Sequence, residues 1–421
     1  MYRKLYPSSS RPGLYFGLAK VHKLNGSTDV NQLPLRPVIS NIGTATYELS
    51  KYLADLLRPL TKSEYCIDST KDFIDRIRQK GIPQGYEMVS FDVVSLFTSV
   101  PLDYTINLIL DKIYREKLVK TKISRDEMKN LLETCTKEMH FSFNGEIYRQ
   151  VDGVAMGSPL GPVIANIFMV ELEKTLVPQL EGTVGLWYRY VDDTFTFIRE
   201  GCVETVLEAL NGFHPSIKFT FEKESGGRIS FLDVNVIKKP NGSFDTEVHR
   251  KKTDTNVYIH WEAFAPTSWK TGTLKGLIRR AFVICSTDES REMEITHLKR
   301  VFKEQNGYPS RIIHDCIREV QQKFERNHPE EDGSGTPGGA GGAVQATTGT
   351  PGAGDMVEVE VKPLICLPFK GKDGDKIIGQ FRNALAKALP PEIKPRFTYK
   401  GKKIGSFFQS RTRYRSSTNP T

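Results

Sequence analysis

Residues 186–198, LWYRYVDDTFTFI, limit how this chain can fold more than any other segment. Two runs of alternating apolar and aromatic side chains flank the adjacent acids Asp192 and Asp193. Such alternation is typical of β-strands, so the segment predicts two strands with both acids at the tip of the tight hairpin between them. Rigid strands with an open tip suit metal ligands. Taken alone, the acid pair has a simpler interpretation as a solvated turn.

A second apolar strand, predicted over residues 88–97 (MVSFDVVSLF), contains the single acid Asp92. A carboxylate in such a run is costly to bury without a cation or a proton, although it could instead cap the following segment. Three acids on two strands match two-metal phosphoryl transfer, in which the ions activate a hydroxyl and neutralise a leaving phosphate. Oxygen ligands favour Mg²⁺ or Mn²⁺. The sequence therefore predicts two such ions at Asp92, Asp192 and Asp193.

Residues 151–169, VDGVAMGSPLGPVIANIFM, lie between the two acidic strands. Their glycines permit another group to approach the backbone closely. Ser158 and Pro159 indicate a turn into a helix that begins near Pro162. A plain junction between a loop and a helix is the alternative interpretation.

The pattern along the chain changes from mixed to helical. Asn144-Gly145 and Asn241-Gly242 each separate alternating runs and predict β-hairpins. Residues 104–118 have apolar groups at helical spacing, and residues 273–326 predict three helices with no strand between them. We therefore expect an α/β (α+β) part followed by an all-helical part.

Positive charge is concentrated at the C-terminal end. Residues 329–355 are rich in Gly, Pro, Ala and Thr and have few large apolar groups, which predicts a flexible linker. Residues 362–421 carry 14 Lys and Arg against 3 Asp and Glu, whereas the rest of the chain carries 45 against 47. This distribution indicates a contact with a polyanion, and a merely solvated extension is the alternative.

Composition excludes several classes of protein. The six cysteines form no CxxC pair, so neither a zinc ribbon nor a disulfide framework is predicted. No apolar run reaches the roughly 18 to 20 residues that span a bilayer, and the N-terminus lacks an apolar signal core. We expect an intracellular protein with reduced thiols and no membrane partner.

The order FDVVSLF, GSPLGPVIANIF and YVDD resembles the palm motifs A, B and C of reverse transcriptases. Upstream, GLAKVHK and LRPVIS resemble the fingers segments that hold the incoming triphosphate, and ISFLDVNV downstream resembles the segment that grips the primer end. HRKKTDTNVYIHWEAFAPTSWKTGTLKGLIRRA (residues 249–281) is similar to the Penelope-like retroelements of animals. The resemblance covers roughly residues 14–326. It implies a right-hand polymerase palm with partial fingers and a helical thumb.

The resemblance also implies roles for individual residues. Asp92 and Asp192 match the two metal-bridging aspartates, and Asp193 matches the adjacent, less critical one. Arg36 matches the fingers arginine that binds the triphosphate, where a planar guanidinium suits phosphate oxygens. Lys20 and Lys23 are candidate phosphate lysines.

Further matches concern the sugar and the template. Phe97 lies where the family places an aromatic gate against the ribose 2′-OH, which favours deoxynucleotides and disfavours an RNA-directed RNA polymerase. The segment Gly157, Ser158 and Pro159 matches the loop under the nascent base pair. Four thumb cations are expected to follow the duplex backbone: Lys270, Lys275, Arg279 and Arg280.

The implied domains are fingers and palm over 1–247, a helical thumb with a helix-turn-helix-like segment over 248–328, a linker over 329–356 and a basic connector over 357–421. The implied function is RNA-directed DNA synthesis by a retrotransposable element, with an RNA or DNA template, a primer and dNTPs as partners and a nuclear location. Compared with Penelope-like proteins, the chain lacks a long N-terminal segment and a GIY-YIG nuclease. It is therefore expected to be a fragment or a decayed copy, and a non-catalytic nucleic-acid-binding protein is the alternative function.

Overall fold

The structure is a computed structural model that describes residues 10–20, 35–251, 253–327, 364–368 and 396–400. Lys23, the predicted linker and most of the predicted basic connector lie outside these residues, so the predictions for them stay predictions. The chain divides into two compact units, one of residues 1–254 and 283–291 and one of residues 255–282 and 292–421.

The first unit combines strands and helices, which confirms the predicted α/β class. Its strands are β1 (Gly13–Ala19), β2 (Leu35–Ser40), β3 (Tyr86–Val93), β4 (His140–Phe143), β5 (Glu146–Arg149), β6 (Val184–Tyr190), β7 (Asp193–Arg199), β8 (Phe219–Lys223), β9 (Arg228–Phe231), β10 (Val234–Lys238) and β11 (Phe244–Val248). Its helices are α1 (Tyr47–Leu57), α2 (Thr70–Ile77), α3 (Leu96–Ser99), α4 (Leu102–Tyr114), α5 (Arg125–Thr136), α6 (Gly161–Leu176) and α7 (Val203–Gly212).

A four-stranded antiparallel sheet in the order β6-β7-β3-β8 forms the centre of this unit. Successive side chains alternate between its faces. Phe91 points to the face that packs on α6 and α4, within a core that also contains Phe168 and Ile109. The opposite face is partly covered by α2 and a second sheet in the order β11-β10-β9, in a core that contains Phe195 and Phe231. The carboxyl end of β3 on this second face carries Asp92.

A third sheet, β2-β1-β4-β5, contains the predicted fingers segments. Strands β1 and β2 are antiparallel, and Leu18 pairs with Arg36. The hairpin predicted at Asn144-Gly145 joins β4 and β5, and both turn residues have positive φ, as a tight two-residue turn requires. The hairpin predicted at Asn241-Gly242 is also present, but its loop has five residues because the last pair is Lys238 with Phe244.

The chain forms helices from residue 267 to residue 327 with no strand between them, as predicted for residues 273–326. These helices are α8 (Thr267–Ile284), α9 (Asp288–Arg300) and α10 (Ser310–Asn327), and a π-helix extends α9 over Val301–Gln305. The last two residues of α8 and the first four of α9 belong to the first unit, and the rest belong to the second. The turn that follows is held by Asn306, which is 1% exposed and donates to the carbonyls of Asn256 and Val301. Strands β12 (Leu364–Pro368) and β13 (Arg396–Lys400) pair in parallel. No helix in the described part of the chain is long and apolar enough to cross a membrane.

One strand differs from its prediction. The strand expected over residues 88–97 ends at Val93, and the chain then turns through Ser95, whose φ is +54°, into the short helix α3. The ladder with β7 ends at Asp92, whereas the amide of Val94 still donates to the carbonyl of Lys218, just before β8, at 2.8 Å. Phe97 therefore lies on a helix, whereas the sequence predicted a strand.

Candidate active site

The three predicted acids come together at one end of the central sheet. Asp92 is paired with Asp193 in the ladder between β3 and β7, so their side chains point to the same face. Val191 and Asp192 form the hairpin tip, and the Asp192 carbonyl accepts a hydrogen bond from the Val93 amide at 3.3 Å. Asp92 is exposed, whereas Asp192 and Asp193 are half-buried. The sheet thus fixes the backbone of all three acids and leaves their carboxylates beside solvent.

Burial and like charges act together on the carboxylates of this cluster. Burial, with the neighbouring negative charges of Asp192 and Asp92, raises the pKa of Asp193 to about 6. Lys251 opposes this shift, but only in part. A carboxyl group whose neighbours disfavour its charged form is stabilised as a carboxylate when a cation binds beside it.

The donor set fits a hard divalent cation that is shared with a substrate. Among the described residues, no three His, Cys, Asp or Glu side chains converge closely enough to hold a metal ion by themselves. Magnesium is typically bound by one or two carboxylates together with phosphate oxygens and water. Asp92 and Asp193, with Asp192 at the tip, supply that number of carboxylates on a rigid support.

A cleft of about 360 Å³ opens beside the acids. Asp92 and Asp193 form one wall, and Glu222, His249 and Lys251 contribute to the others. The His249 ring lies 2.8 Å from the Asn235 side-chain oxygen, which fixes its orientation. The sequence predicted no role for these two basic residues, but the run HRKK directly after β11 is a signal that could have identified them.

Phe97 is positioned by the glycine-rich loop. Its carbonyl accepts a hydrogen bond from the Val154 amide at 2.7 Å. Gly153 has a φ of +67°, and a Cβ there would lie 2.5 Å from the Phe97 carbonyl oxygen, so only glycine allows this approach. The Phe97 ring is half-buried and packs in part against the first core. Both a role as a gate and a role in packing are compatible with this placement.

The loop over Gly157, Ser158 and Pro159 contacts the strand that carries Arg36. Gly157 has a φ of +119°, and a Cβ there would lie 2.3 Å from the Ile39 carbonyl oxygen. The Ile39 amide donates to the Met156 carbonyl at 2.9 Å. Ser158 is buried, and its hydroxyl accepts from the Leu160 amide, so it stabilises the start of α6. The structure therefore joins this loop to β2.

Two of the three predicted triphosphate cations, Arg36 and Lys20, lie on or beside the third sheet. Arg36 is exposed on β2 and is free of the core, and Lys20 is half-buried just after β1. Lys23 lies outside the described residues.

An ion pair that the sequence analysis did not identify lies beneath the hairpin tip. Arg189 on β6 and Glu173 on α6 are 1% and 0% exposed at their side chains, and Arg189 Nε lies 2.5 Å from Glu173 Oε1. Arg189 also donates to the Val191 carbonyl at 2.9 Å. The signal for this pair is the presence of charged residues in two largely apolar segments: Arg189 in LWYRYV, and Glu171 and Glu173 in IANIFMVELE.

The four predicted thumb cations differ in their placement. Lys270 is 7% exposed, and its ammonium donates to the Trp261 carbonyl at 2.5 Å, so the prediction that it follows a duplex does not fit its buried position. Lys275 is half-buried and binds Glu319. Arg279 is exposed and, with Lys275, lines a groove of about 320 Å³. Arg280 is half-buried.

Comparisons of the sequence with family models identify two segments. Residues 33–224 match the family described as reverse transcriptase (RNA-dependent DNA polymerase), a range that contains all three acids, Phe97 and the loop over 157–159. Residues 257–318 match the animal helix-turn-helix domain, which confirms the helix-turn-helix prediction for this part. A comparison with curated proteins gives no match.

Solved structures with a similar fold are nucleic-acid polymerases. A telomerase from Candida albicans, solved with a fragment of telomeric RNA, has a TM-score of 0.51 and 12% identity over 79% of this chain. The chain spans 63% of that telomerase. An RNA-dependent RNA polymerase of a human picobirnavirus has a TM-score of 0.45 and 12% identity, over 74% of this chain and 60% of its own. The telomerase likeness confirms the right-hand polymerase fold.

Proposed function

We infer that this chain is an RNA-directed DNA polymerase, starting from the premise that its residues 33–224 form a reverse transcriptase domain. The reaction is template-directed attack of a primer 3′-OH on a dNTP with release of pyrophosphate. The observation that carries the inference is the pairing of Asp92 with Asp193 beside the hairpin tip, within the matched segment. Carboxylates held on adjacent rigid strands are what two-metal nucleotidyl transfer requires.

The acids of the hairpin are the centre of the proposed mechanism. When bound, two Mg²⁺ or Mn²⁺ ions would supply charge neutralisation at the attacking and leaving oxygens. Asp92 and Asp192 would hold them, and Asp193 would complete the negative site. The ladder between β3 and β7 fixes the backbone of Asp92 and Asp193 before substrate arrives, so little reorganisation is needed at the moment of reaction.

Residues around the acids would orient the substrate. Arg36 is exposed and presents a planar donor to the triphosphate. The loop over Gly157–Pro159 would lie beneath the new base pair, and its contact with β2 holds it beside the strand of Arg36. Phe97 would lie against the sugar, where its ring excludes a 2′-OH. This exclusion favours dNTPs as substrates and DNA as the product.

We extend the proposal to the biological origin of the enzyme. The similarity of residues 249–281 to Penelope-like elements supports a retrotransposable element as the source, with a role in DNA integration and a nuclear location. The helix-turn-helix match at residues 257–318 supports a nucleic-acid contact in the helical unit. Template, primer and dNTPs are the proposed partners.

A primer-extension assay with purified full-length chain tests the proposed function. An RNA template with an annealed DNA primer, all four dNTPs and Mg²⁺ should give templated extension, and EDTA should stop it. A parallel reaction with rNTPs should give much less product. Mn²⁺ should replace Mg²⁺, because both are hard cations with oxygen ligands.

The proposal would be wrong if the folded chain bound primer–template but extended it with neither metal. Binding is measured in the same preparation by fluorescence anisotropy, and folding by circular dichroism. Preferential use of rNTPs would instead indicate an RNA polymerase, and it would remove the assigned role of Phe97.

A further inference from the structure

The buried ion pair beneath the hairpin uses the whole hydrogen-bonding capacity of one arginine. Arg189 Nε and one terminal nitrogen bind the two Glu173 oxygens at 2.5 and 3.1 Å. The same terminal nitrogen contacts Cys66 Sγ at 3.2 Å. The other terminal nitrogen donates to Asn166 at 2.8 Å and to the Val191 carbonyl at 2.9 Å. These five contacts match the five N–H groups of a guanidinium, so no other side chain can make the same set of hydrogen bonds.

Neighbouring elements hold the cluster in place. Glu173 also accepts from the Trp187 indole at 3.0 Å, and both oxygens of its carboxylate are thus occupied. The Arg189 backbone binds the segment beside β6, donating to the Tyr65 carbonyl at 2.8 Å and accepting from the Ile67 amide at 3.0 Å. The position of the guanidinium is therefore determined by α6, β6 and the segment 65–67 together.

The contact with Val191 is the one that reaches the active site. Val191 has a φ of +58°, a left-handed conformation that is unfavourable for a β-branched residue. Asp192 follows it directly, so the orientation of that carboxylate depends on whether Val191 keeps this conformation. Arg189 lies on the helix-packed face of the sheet, because it pairs with Thr194, whereas Asp92 and Asp193 lie on the opposite face.

We propose that Arg189 is a positioning residue: its bond to the Val191 carbonyl holds the strained tip, and thereby Asp192, in the orientation that binds metal. Glu173 has the supporting role of fixing the guanidinium. The inference rests on the proposed function, because it assigns a purpose to a group that does not touch the substrate. Stability alone is a weak reason for such a pair, since apolar residues of similar volume often replace a buried ion pair without loss.

The chain offers a matched control in the same unit. Lys112 is 8% exposed at its side chain and binds Glu171 at 2.8 Å, between α4 and α6. Glu171 is 25% exposed at its side chain, so this second pair is partly buried, and neither residue has an ion pair with the hairpin tip among the described residues. A purely structural effect of removing an ion pair within the first unit should therefore appear at both places.

The test compares two double substitutions in the full-length chain. Arg189→Met with Glu173→Gln removes both charges and keeps an acceptor for Trp187, and Lys112→Met with Glu171→Gln is the control. We expect the first to lower kcat by about tenfold or more, since small displacements of catalytic groups have effects of this size. KM for dNTP and the Kd for primer–template should change by less than about twofold. The control should retain wild-type kcat.

A second measurement is independent of catalysis. Electron paramagnetic resonance titration of Mn²⁺ on the free chain should show about tenfold weaker binding for the Arg189/Glu173 variant than for the wild type. The control variant should bind Mn²⁺ as tightly as the wild type. Arg189→Lys keeps the charge but cannot reach Glu173 and Val191 together, so it should fold and fall between wild type and the double variant. If the double variant does not fold, the same kcat and Mn²⁺ measurements on Arg189→Lys test the proposal.

The outcomes separate the two proposals. Wild-type kcat and Mn²⁺ affinity in the Arg189 variants, whatever their thermal stability, would overturn the positioning role. If the wild-type chain extended no primer but the Mn²⁺ difference between variant and control persisted, the proposed function would fail and the positioning role would stand.

Discussion

The two units of the chain place their charged residues in contrasting ways. In the first unit, Asp92 and Asp193 face each other on neighbouring strands, and burial with like charges raises the pKa of Asp193 to about 6. In the helical unit, Glu319 accepts from both Lys275 and Lys323, and these bonds hold its pKa at about 2. The first arrangement places negative charges side by side. The second is compensated, because it pairs one negative charge with two positive ones.

This difference separates charges placed for chemistry from charges placed for structure. A compensated cluster on a surface contributes little and needs no ligand. A cluster of adjacent acids, in which burial and like charges raise the pKa of a carboxyl, is typical of a functional site. On this ground we propose the hairpin tip as the active site and the α8–α10 surface as a contact surface.

The largest expected effect comes from removing one charge of the acidic cluster at the hairpin tip. Asp92→Asn or Asp192→Asn should lower single-nucleotide incorporation by about 100-fold or more, because a metal ligand is lost. The free energy of unfolding should stay the same or rise, since like-charge repulsion is relieved. Rapid-quench incorporation and urea unfolding measure the two quantities.

Asp75→Asn is the control for these variants, because Asp75 is an exposed acid on α2 whose pair with Lys71 should contribute little. Incorporation above about a hundredth of the wild-type rate in either site variant would contradict the metal assignment. Template binding should be almost unchanged in all three, since phosphate contacts elsewhere provide affinity.

A smaller effect is expected for sugar selection. Phe97→Val should reduce the preference for dNTP over rNTP by about ten- to a hundredfold, or ~1.4–2.8 kcal/mol, because the ring would no longer fill the space beside the 2′ carbon. The ratio of kcat/KM for the two substrates is the measurement. Phe143→Val alters an exposed aromatic on β4 and is the control. An unchanged ratio would assign Phe97 to packing alone.

In the helical unit, exposed and buried cations should differ. Arg279→Ala should lower affinity for primer–template by a few fold and reduce the slope of log affinity against log salt by about one, if Arg279 binds a phosphate. Lys270→Met should leave that slope unchanged, because the Lys270 ammonium is bound to the Trp261 carbonyl. Equal slopes for Arg279→Ala and the wild type would show that the groove makes no phosphate contact.

The smallest effect concerns the compensated cluster itself. The pKa of Glu319 is lowered to about 2 by hydrogen bonds from Lys275 and Lys323, so its contribution to stability is present above the ordinary carboxyl pKa. That contribution is lost as the pH falls toward 2. Thermal unfolding of Glu319→Gln should therefore differ from wild type by a few degrees at most near pH 7, because the site is partly exposed and screened.

The difference between Glu319→Gln and the wild type should shrink below about pH 4.5. It should also shrink in high salt. A difference that stayed constant from pH 7 to pH 2.5 would mean that Glu319 acts through packing and not through its charge.

The sequence predicted the site where its signal was local. The alternation around Asp192 and Asp193 determined the hairpin, and Asn144-Gly145 determined a tight turn, because both depend on neighbouring residues. The place of Phe97 could not be predicted in this way. The left-handed turn at Ser95 lies between two contacts with residues far away in sequence, of Val94 with Lys218 and of Phe97 with Val154.

Two further differences between the sequence predictions and the structure also come from contacts between residues that are distant in the sequence. Arg189 and Glu173 lie on different elements, so only the fold shows that they are partners. Lys270 was expected to follow the duplex backbone, yet its ammonium is buried and donates to the carbonyl of Trp261. Patterns of spacing indicate which face a residue occupies, and they do not indicate which distant group accepts its hydrogen bonds.

The close approach of Gly157 to Ile39 also has a consequence for motion. The glycine leaves no gap for a side chain, and the bond from Ile39 to Met156 ties the same two segments. Strand β2 and the loop before α6 are therefore in direct mechanical contact. Under the proposed function, a displacement of Arg36 along β2 by the triphosphate would press on the loop that lies beneath the new base pair.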